Sequence, residues 1–115
     1  MTLDEYQDKA IRTALPTSLN VPYMTLGLAG EAGEIANKVK KIIRDDMHPN
    51  ERLADLGVPE EKRQQLVQEL GDVLWYCAGL AYVLGMDLEQ VAEINVSKLA
   101  SRKAAGTLGG SGDTR

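Results

Sequence analysis

The chain has 115 residues, of which 43% are hydrophobic and 26% are charged, and its formal net charge is −4. This length predicts one domain, and its core must be aliphatic because there is no phenylalanine and one tryptophan. The negative charge argues against a nucleic-acid partner, and the single cysteine excludes a disulfide scaffold within one chain. No apolar run approaches the roughly 20 residues that span a membrane, and the acidic start is unlike a signal peptide, so we expect a cytoplasmic protein with no membrane partner.

The first predicted helix begins with a capping box, in which Thr2 is the N-cap and Glu5 occupies the third helical position. We expect the helix to end near Pro16, since proline cannot continue a helix, and residues 17–22 to form a linker. Gln7 lies one turn into this helix. It is a candidate substrate contact, and an ordinary helix residue is the alternative.

A second helix is predicted from about Tyr23 to Arg44. Apolar residues recur along it by alternating steps of four and three, which is typical of a helix that packs on another: Leu28, Ala32, Ile35, Val39 and Ile42. A polar stripe runs beside this seam and contains Glu31, Glu34, Lys38 and Lys41. One interpretation of the stripe is a solvated face on which Glu34 pairs with Lys38 four residues later.

Residues 45–58 are predicted to form a loop with a short helical turn over 51–56, and a third helix should follow from Pro59 to Leu84, with Gly85 as its stop. Its apolar seam comprises Leu66, Leu70, Val73, Cys77, Leu80 and Leu84. Around Trp75 this helix is apolar on nearly every face. A helix of that kind is usually buried, and because the chain is too short to surround it, we predict self-association.

The fourth predicted helix is capped by Asp87 with Gln90 and runs to about Lys103. Asn95, Lys98 and Arg102 share one of its faces, because they follow one another by three and four residues. We therefore predict an all-α fold, with four main helices packed as an antiparallel bundle and completed by oligomerisation. Residues 1–105 form the domain, and the glycine-rich residues 106–115 form a flexible tail.

Two pairs of carboxylates interrupt the apolar helices at the same spacing. Glu31 and Glu34 are three residues apart on the second helix, as are Glu69 and Asp72 on the third. Three helical residues turn through about 300°, so both acids of a pair project from the same side. If the helices face each other, the four charges repel, and a hard cation such as Mg²⁺ is the simplest compensation. The spacing therefore predicts a carboxylate metal site that handles a phosphate ester.

With Glu31-Ala32-Gly33-Glu34 and Glu69-Leu70-Gly71-Asp72 both present, the chain resembles the MazG-like, all-α nucleoside triphosphate pyrophosphohydrolases. The resemblance extends to Tyr6-Gln7, residues 27–34, residues 69–76, residues 95–99 and the ending 110–113. Many members begin the first motif with two adjacent glutamates, whereas this chain has Gly30 at the first position. This departure from the family pattern leaves one metal ligand fewer than in those members.

The resemblance implies that Glu31, Glu34, Glu69 and Asp72 bind Mg²⁺, with Mn²⁺ as a substitute, and carry out catalysis. It implies cleavage of a nucleoside triphosphate to the monophosphate and pyrophosphate by a homodimer or homotetramer. Lys38, Asn95, Lys98 and Arg102 correspond to the phosphate and sugar contacts of the family. We also expect the tail, with its free backbone amides and the cationic Arg115, to close over bound nucleotide, and a plain disordered tail is the alternative.

Two other functions remain open from the sequence. One is a non-catalytic, dimeric helical module that binds a partner and whose acids lie on the surface. It leaves unexplained why the acids lie within apolar helices. The other is hydrolysis of a different pyrophosphate-linked substrate, such as phosphoribosyl-ATP. Base selection depends on the shape of the pocket, so the sequence leaves the base and the sugar open.

Overall fold

A computed structural model describes residues 1–113 of the chain. Within that range there are four α-helices and no strand: α1 (Leu3–Ile11), α2 (Val21–Asp46), α3 (Glu60–Val83) and α4 (Leu88–Ala104). Short 3₁₀ turns lie at Pro16–Ser18 and Leu53–Asp55. The predicted all-α fold is confirmed. Among the described helices, none combines the length and the apolar character that a membrane span requires.

Helix α1 begins as the sequence predicts. The Glu5 amide donates to Thr2 Oγ1 and the Thr2 amide donates to Glu5 Oε2, each at 3.1 Å, which completes the capping box. The helix then packs on α3, where the Trp75 indole Nε1 donates to Thr13 Oγ1 at 2.9 Å and to the Ala10 carbonyl at 3.2 Å. These bonds position the first helix on the middle of α3.

Helices α2 and α3 form an antiparallel hairpin. Met24, near the start of α2, lies against Gly79 in the second half of α3, and Gly27 lies against Tyr76. At the other end of the hairpin, Lys62 pairs with Asp46. The residue numbers rise on one helix as they fall on the other, so the two acidic motifs lie opposite each other in the middle.

Three boundaries or faces differ from the sequence expectations. Helix α1 ends at Ile11, well before Pro16, and Pro16 instead starts a 3₁₀ turn. Helix α2 includes Val21 and Pro22, because Asn20 caps it by accepting from the Tyr23 amide at 2.8 Å and proline is tolerated in a first helical turn. The Leu70 and Leu84 side chains, both predicted to lie in the α3 seam, are 58% and 60% exposed.

The position of Leu70 has a simple geometric cause. Glu69 takes the position that faces α2, and the next residue of a helix is rotated by about 100°. Leu70 therefore lies on a separate apolar face of α3, together with Val67, Gly71, Val73, Leu74 and Cys77, which line a groove. We call this groove the α3 groove.

The chain is more extended than its length predicts. Its radius of gyration is 17.4 Å, whereas a compact chain of this size has a value of about 13 Å. Helix α4 packs on α1 and α3, but several of its apolar side chains are exposed, among them Ile94 and Val96. The described part of the chain thus leaves much apolar surface uncovered.

Candidate metal centre

The antiparallel contact of α2 and α3 determines where the acids meet. A Cβ added to Gly27 would lie 2.0 Å from Cε1 of Tyr76, so only glycine lets the helices approach this closely. One turn further along α2 comes Glu31, and one turn back along α3 comes Asp72. The glycine contact therefore sets the register that places these two acids opposite each other.

Three of the four predicted acids converge. Glu31, Glu69 and Asp72 each present a carboxylate oxygen, and the three atoms lie within 4.8 Å of one another. Glu31 and Glu69 are half-buried, whereas Asp72 is exposed. We call these three residues the acidic trio. Glu34, the fourth predicted ligand, is exposed on α2 one turn after Glu31 and lies outside the trio.

The trio is electrostatically strained. Partial desolvation raises the pKa of Glu31 above its usual value, and the charges of Asp72, Glu69 and Glu34 raise it further. Glu34 contributes to this pKa because it lies one helical turn from Glu31 on α2. Repulsion of this kind favours either a proton or a cation between the carboxylates.

One lysine offsets part of the negative charge. Lys38 Nζ lies 3.6 Å from Glu69 Oε1, so it pairs across the hairpin. The alternative interpretation of the polar stripe, a Glu34–Lys38 pair within α2, does not occur among residues 1–113. Because Lys38 pairs across the hairpin, it belongs to the site and is not part of a solvated face of α2.

Tyrosines border the trio on the side of Gly27. Burial raises the pKa of the Tyr76 phenol, with further contributions from Tyr23, Glu31 and Asp72. The pKa of Tyr6 is also raised, mainly by burial and then by the charges of Asp72 and Cys77. The Tyr23 and Tyr76 ring centroids are 6.5 Å apart. The acids thus have an aromatic wall at one end, which the sequence interpretation missed. Gly27 was the available signal, since a helical glycine leaves room for a large neighbour.

The donor set of the trio fits a hard divalent cation. All three groups are carboxylates, which Mg²⁺ prefers, and their oxygens are close enough to share one ion. Asp72 is exposed and Glu31 and Glu69 are half-buried, so there is open space beside the carboxylates. That space leaves room for water and phosphate oxygens, with which Mg²⁺ usually completes its coordination.

Gln7 is engaged within the fold. Its side chain is buried, and its amide nitrogen donates to the carbonyls of Ala78 at 3.2 Å and Met86 at 3.1 Å. Its oxygen accepts from the Leu88 amide at 3.0 Å. These bonds tie α1 to the end of α3 and the start of α4. The structure therefore gives this predicted substrate contact a structural role in joining three helices.

Among residues 1–113, no hydrogen bond or ion pair joins the acidic trio to the polar side chains on α4 that were predicted to contact substrate. Asn95 and Lys98 are exposed, and within residues 1–113 no ion pair joins Lys98 to an acid. Arg102 is 7% exposed, and its Nη2 donates to the carbonyl of Asp113 at 2.9 Å. The tail folds back over α4 through Gly106, Gly110 and Gly112, all with positive φ. Arg115, the remaining predicted contact, lies outside the described residues.

Comparison with known proteins identifies the family of the chain. The MazG nucleotide pyrophosphohydrolase domain matches residues 21–106, which include α2, α3 and α4. The chain is 45% identical over 122 aligned positions to the Gene 37 protein of Mycobacterium phage L5, with full coverage of both chains. It is 37% identical over 84 positions to the uncharacterized protein YvdC of Bacillus subtilis strain 168, covering 70% of this chain and 74% of that one. No solved structure shows significant similarity. The chain belongs to the MazG nucleotide pyrophosphohydrolase domain family.

Proposed function

We propose that the protein hydrolyses a nucleoside or deoxynucleoside triphosphate to the monophosphate and pyrophosphate, in a Mg²⁺-dependent reaction that controls or cleans the cytoplasmic nucleotide pool. One observation carries the proposal. Carboxylate oxygens of Glu31, Glu69 and Asp72 lie within 4.8 Å of one another in a chain of the MazG family.

The acidic trio would hold Mg²⁺, and Mn²⁺ could take the same ligands. When bound, Mg²⁺ neutralises phosphate charge and lowers the pKa of an attacking water. Without a cation, the carboxylates repel a triphosphate and its affinity is low. Dependence on metal thus follows from the charge of the chain's own residues.

Glu34 is assigned to the attacking water. It lies one helical turn after Glu31 on α2 but outside the trio, so it is placed beside the metal ligands to accept a hydrogen bond from the water and then its proton. In the reaction, the water oxygen bonds to one phosphorus of the α–β anhydride and that anhydride bond breaks. The bridging oxygen leaves with the other phosphorus, and the water proton passes to Glu34.

Cations on two helices would bind the substrate phosphates. Lys38 already lies beside the trio, and Asn95, Lys98 and Arg102 on α4 are proposed as further phosphate and sugar contacts. Arg102 can bind a phosphate through Nη2 only after the hydrogen bond from this nitrogen to the Asp113 carbonyl is broken. Gln7 is left out of this proposal because its buried amide nitrogen and oxygen are already hydrogen-bonded inside the fold.

We further propose that the active form is a homodimer or homotetramer. The lining of the α3 groove is almost wholly apolar, and the protomer is extended for its length. A second copy of the chain would cover this surface. Light scattering should give a mass above that of one chain. Leu70→Gln should shift the protein towards monomer, whereas Leu53→Gln, at an exposed leucine outside the groove, should not. A monomeric wild type would contradict this.

The reaction is tested with a panel of nucleoside triphosphates and phosphoribosyl-ATP, incubated with enzyme and Mg²⁺. Products are separated by ion exchange. We expect the monophosphate and pyrophosphate as first products, with loss of turnover when Mg²⁺ is chelated. Nucleoside diphosphate and orthophosphate as first products would refute the cleavage site. No turnover of any substrate would favour the non-catalytic binding module.

A further inference from the structure

A second feature of the α2–α3 hairpin lies beside the metal centre. Between the last half of α2 and the first half of α3 is a cavity of about 290 Å³. Its base is the almost fully buried side chain of Ile42. Three of its lining residues are lysines. The full lining comprises Lys38, Lys41, Ile42, Asp45, Lys62 and Gln65. We call it the lysine cavity.

The acids near the lysine cavity are already paired. Asp45 accepts from Arg44 Nε at 2.7 Å and from Arg44 Nη2 at 2.9 Å, and Asp46 pairs with Lys62. Lys41 has no ion pair among residues 1–113. The lining therefore carries positive charge that the described part of the chain does not neutralise. An anion is the complementary ligand.

The lysine cavity and the acidic trio lie next to each other in the cleft between α2 and α3. Lys38 belongs to both, because it lines the cavity and its Nζ is 3.6 Å from Glu69 Oε1. On α3, Gln65 lies one turn before Glu69, and Lys62 lies two turns before it, about 10 Å along the axis. A phosphate chain bound at the trio therefore reaches the cavity without leaving the hairpin.

The two ends of the cleft between α2 and α3 differ in charge. On the side of the trio away from the connecting loop are Tyr23, Gly27 and Tyr76, which supply no charged group. On the side towards the loop are the three lysines. A nucleoside triphosphate has the same asymmetry, with an uncharged base at one end and the most densely charged phosphates at the other.

We propose that the lysine cavity binds the pyrophosphate part of the substrate and holds it as it leaves, with Lys41 and Lys62 as its phosphate-binding residues. The proposal rests on the proposed function and adds the direction in which the triphosphate lies. Lysine binds phosphate as a mobile point charge, so it can follow a group whose negative charge grows as the anhydride bond breaks. Lys38 bridges the two parts of the site.

Inorganic pyrophosphate with Mg²⁺ is the direct probe, measured by calorimetric titration. Lys41→Gln is the cleaner variant because it leaves no described partner unpaired, and it should weaken binding roughly tenfold. Lys62→Gln should do the same, and the double variant Asp46→Asn, Lys62→Gln separates loss of the cation from exposure of Asp46. Lys40→Gln is the matched control. Lys40 neighbours Lys41 in sequence, but its side chain contacts Asn37 outside the cavity.

Kinetics separates failure of this inference from failure of the proposed function. Lys41→Gln should weaken product inhibition by pyrophosphate to the same extent, while Mg²⁺ still raises the melting temperature as in the wild type. An active enzyme whose pyrophosphate affinity is equal in Lys41→Gln, Lys62→Gln and Lys40→Gln would overturn the inference and leave the hydrolase intact. A wild type that turns over no triphosphate would overturn the hydrolase. The titration still decides the cavity, because it needs no turnover.

Discussion

Lys38 and Glu69 join the two helices of the hairpin through charge. With Nζ 3.6 Å from Oε1, the lysine is a built-in counter-ion for the acidic trio and also lines the lysine cavity. A cation that binds the trio competes with this contact. Lys38 is then available to a phosphate, so metal binding and phosphate binding are coupled through one side chain.

Replacing Lys38 by Met should therefore lower the stability of the metal-free protein. Partly exposed ion pairs contribute about 0.2–1 kcal/mol, which corresponds to about 1–4 °C in melting temperature here. Saturating Mg²⁺ should recover most of the loss, so the metal-induced rise in melting temperature should exceed that of the wild type. Scanning calorimetry with and without Mg²⁺ measures this, with Lys40→Met as the control. A smaller rise in Lys38→Met would contradict the counter-ion role.

Glu34 should separate catalysis from metal binding. If it positions the attacking water, Glu34→Gln should lower kcat by about 10²–10⁴-fold. The rise of melting temperature with Mg²⁺ should be largely retained. Glu31→Gln, Glu69→Gln and Asp72→Asn should instead lose the Mg²⁺ response, and each should stay folded because it relieves repulsion in the trio. Loss of the Mg²⁺ response in Glu34→Gln would make Glu34 a metal ligand.

Gln7→Ala should act on stability. The change leaves the Leu88 amide and the carbonyls of Ala78 and Met86 without their partner, and a buried unpaired polar group costs about 1–3 kcal/mol. Urea denaturation measures the free energy of unfolding. Gln68→Ala, at an exposed position of α3, should change it by less than about 0.5 kcal/mol. An unchanged free energy in Gln7→Ala, with a raised KM, would return Gln7 to the substrate site.

Two glycines of α2 should respond in opposite directions to alanine. Gly27→Ala places a methyl group where the Tyr76 ring lies and should destabilise the protein by about 1–3 kcal/mol. Gly30→Ala meets no atom within 4 Å and should stabilise the helix by up to about 1 kcal/mol. Thermal unfolding of the metal-free proteins compares the two. Equal effects would mean that the Gly27–Tyr76 contact does not hold the hairpin together.

Truncation after Ala105 tests the tail. It removes the Asp113 carbonyl to which Arg102 donates, and it exposes the guanidinium. It also removes the glycine backbone amides and Arg115, which we expect to close over bound nucleotide, and loss of these contacts should raise KM or lower kcat even though Arg102 is freed, with the Mg²⁺ response unchanged. Asp113→Asn is the control, because the hydrogen bond uses the backbone carbonyl and this change should have little effect. Unchanged kinetics after truncation would leave the tail without a part in the reaction.

The sequence predicted the four helices because helices depend on local spacing, and the same spacing picked out three acids whose carboxylate oxygens lie within 4.8 Å of one another. Gly85, at a φ of 75°, ends α3 as expected, and the predicted short helical turn in the connecting loop appears as the 3₁₀ turn Leu53–Asp55. The prediction that Leu70 would pack inward was wrong. The seam was predicted from apolar residues alone. Because Glu69 and Asp72 occupy the side of α3 that faces α2, Leu70 cannot lie on that side.

The contacts of Gln7 and Arg102 were beyond sequence analysis for another reason. Gln7 bonds to residues 71 to 81 positions away, and only the folded arrangement of α1, α3 and α4 brings these groups together. The bond of Arg102 depends on how the tail turns at its glycines, which composition does not specify. Residue type identified both side chains as polar candidates, and neither residue type nor spacing indicated that their partners were backbone groups.

The antiparallel register of the hairpin has a consequence for tolerance to insertion. Met24 on Gly79 and Gly27 on Tyr76 fix how α2 and α3 align, and these contacts lie at the end away from the connecting residues 47–59. Lengthening a flexible loop costs only about 0.6 kcal/mol per doubling. This connection can therefore be lengthened by insertion while the three carboxylates keep their spacing.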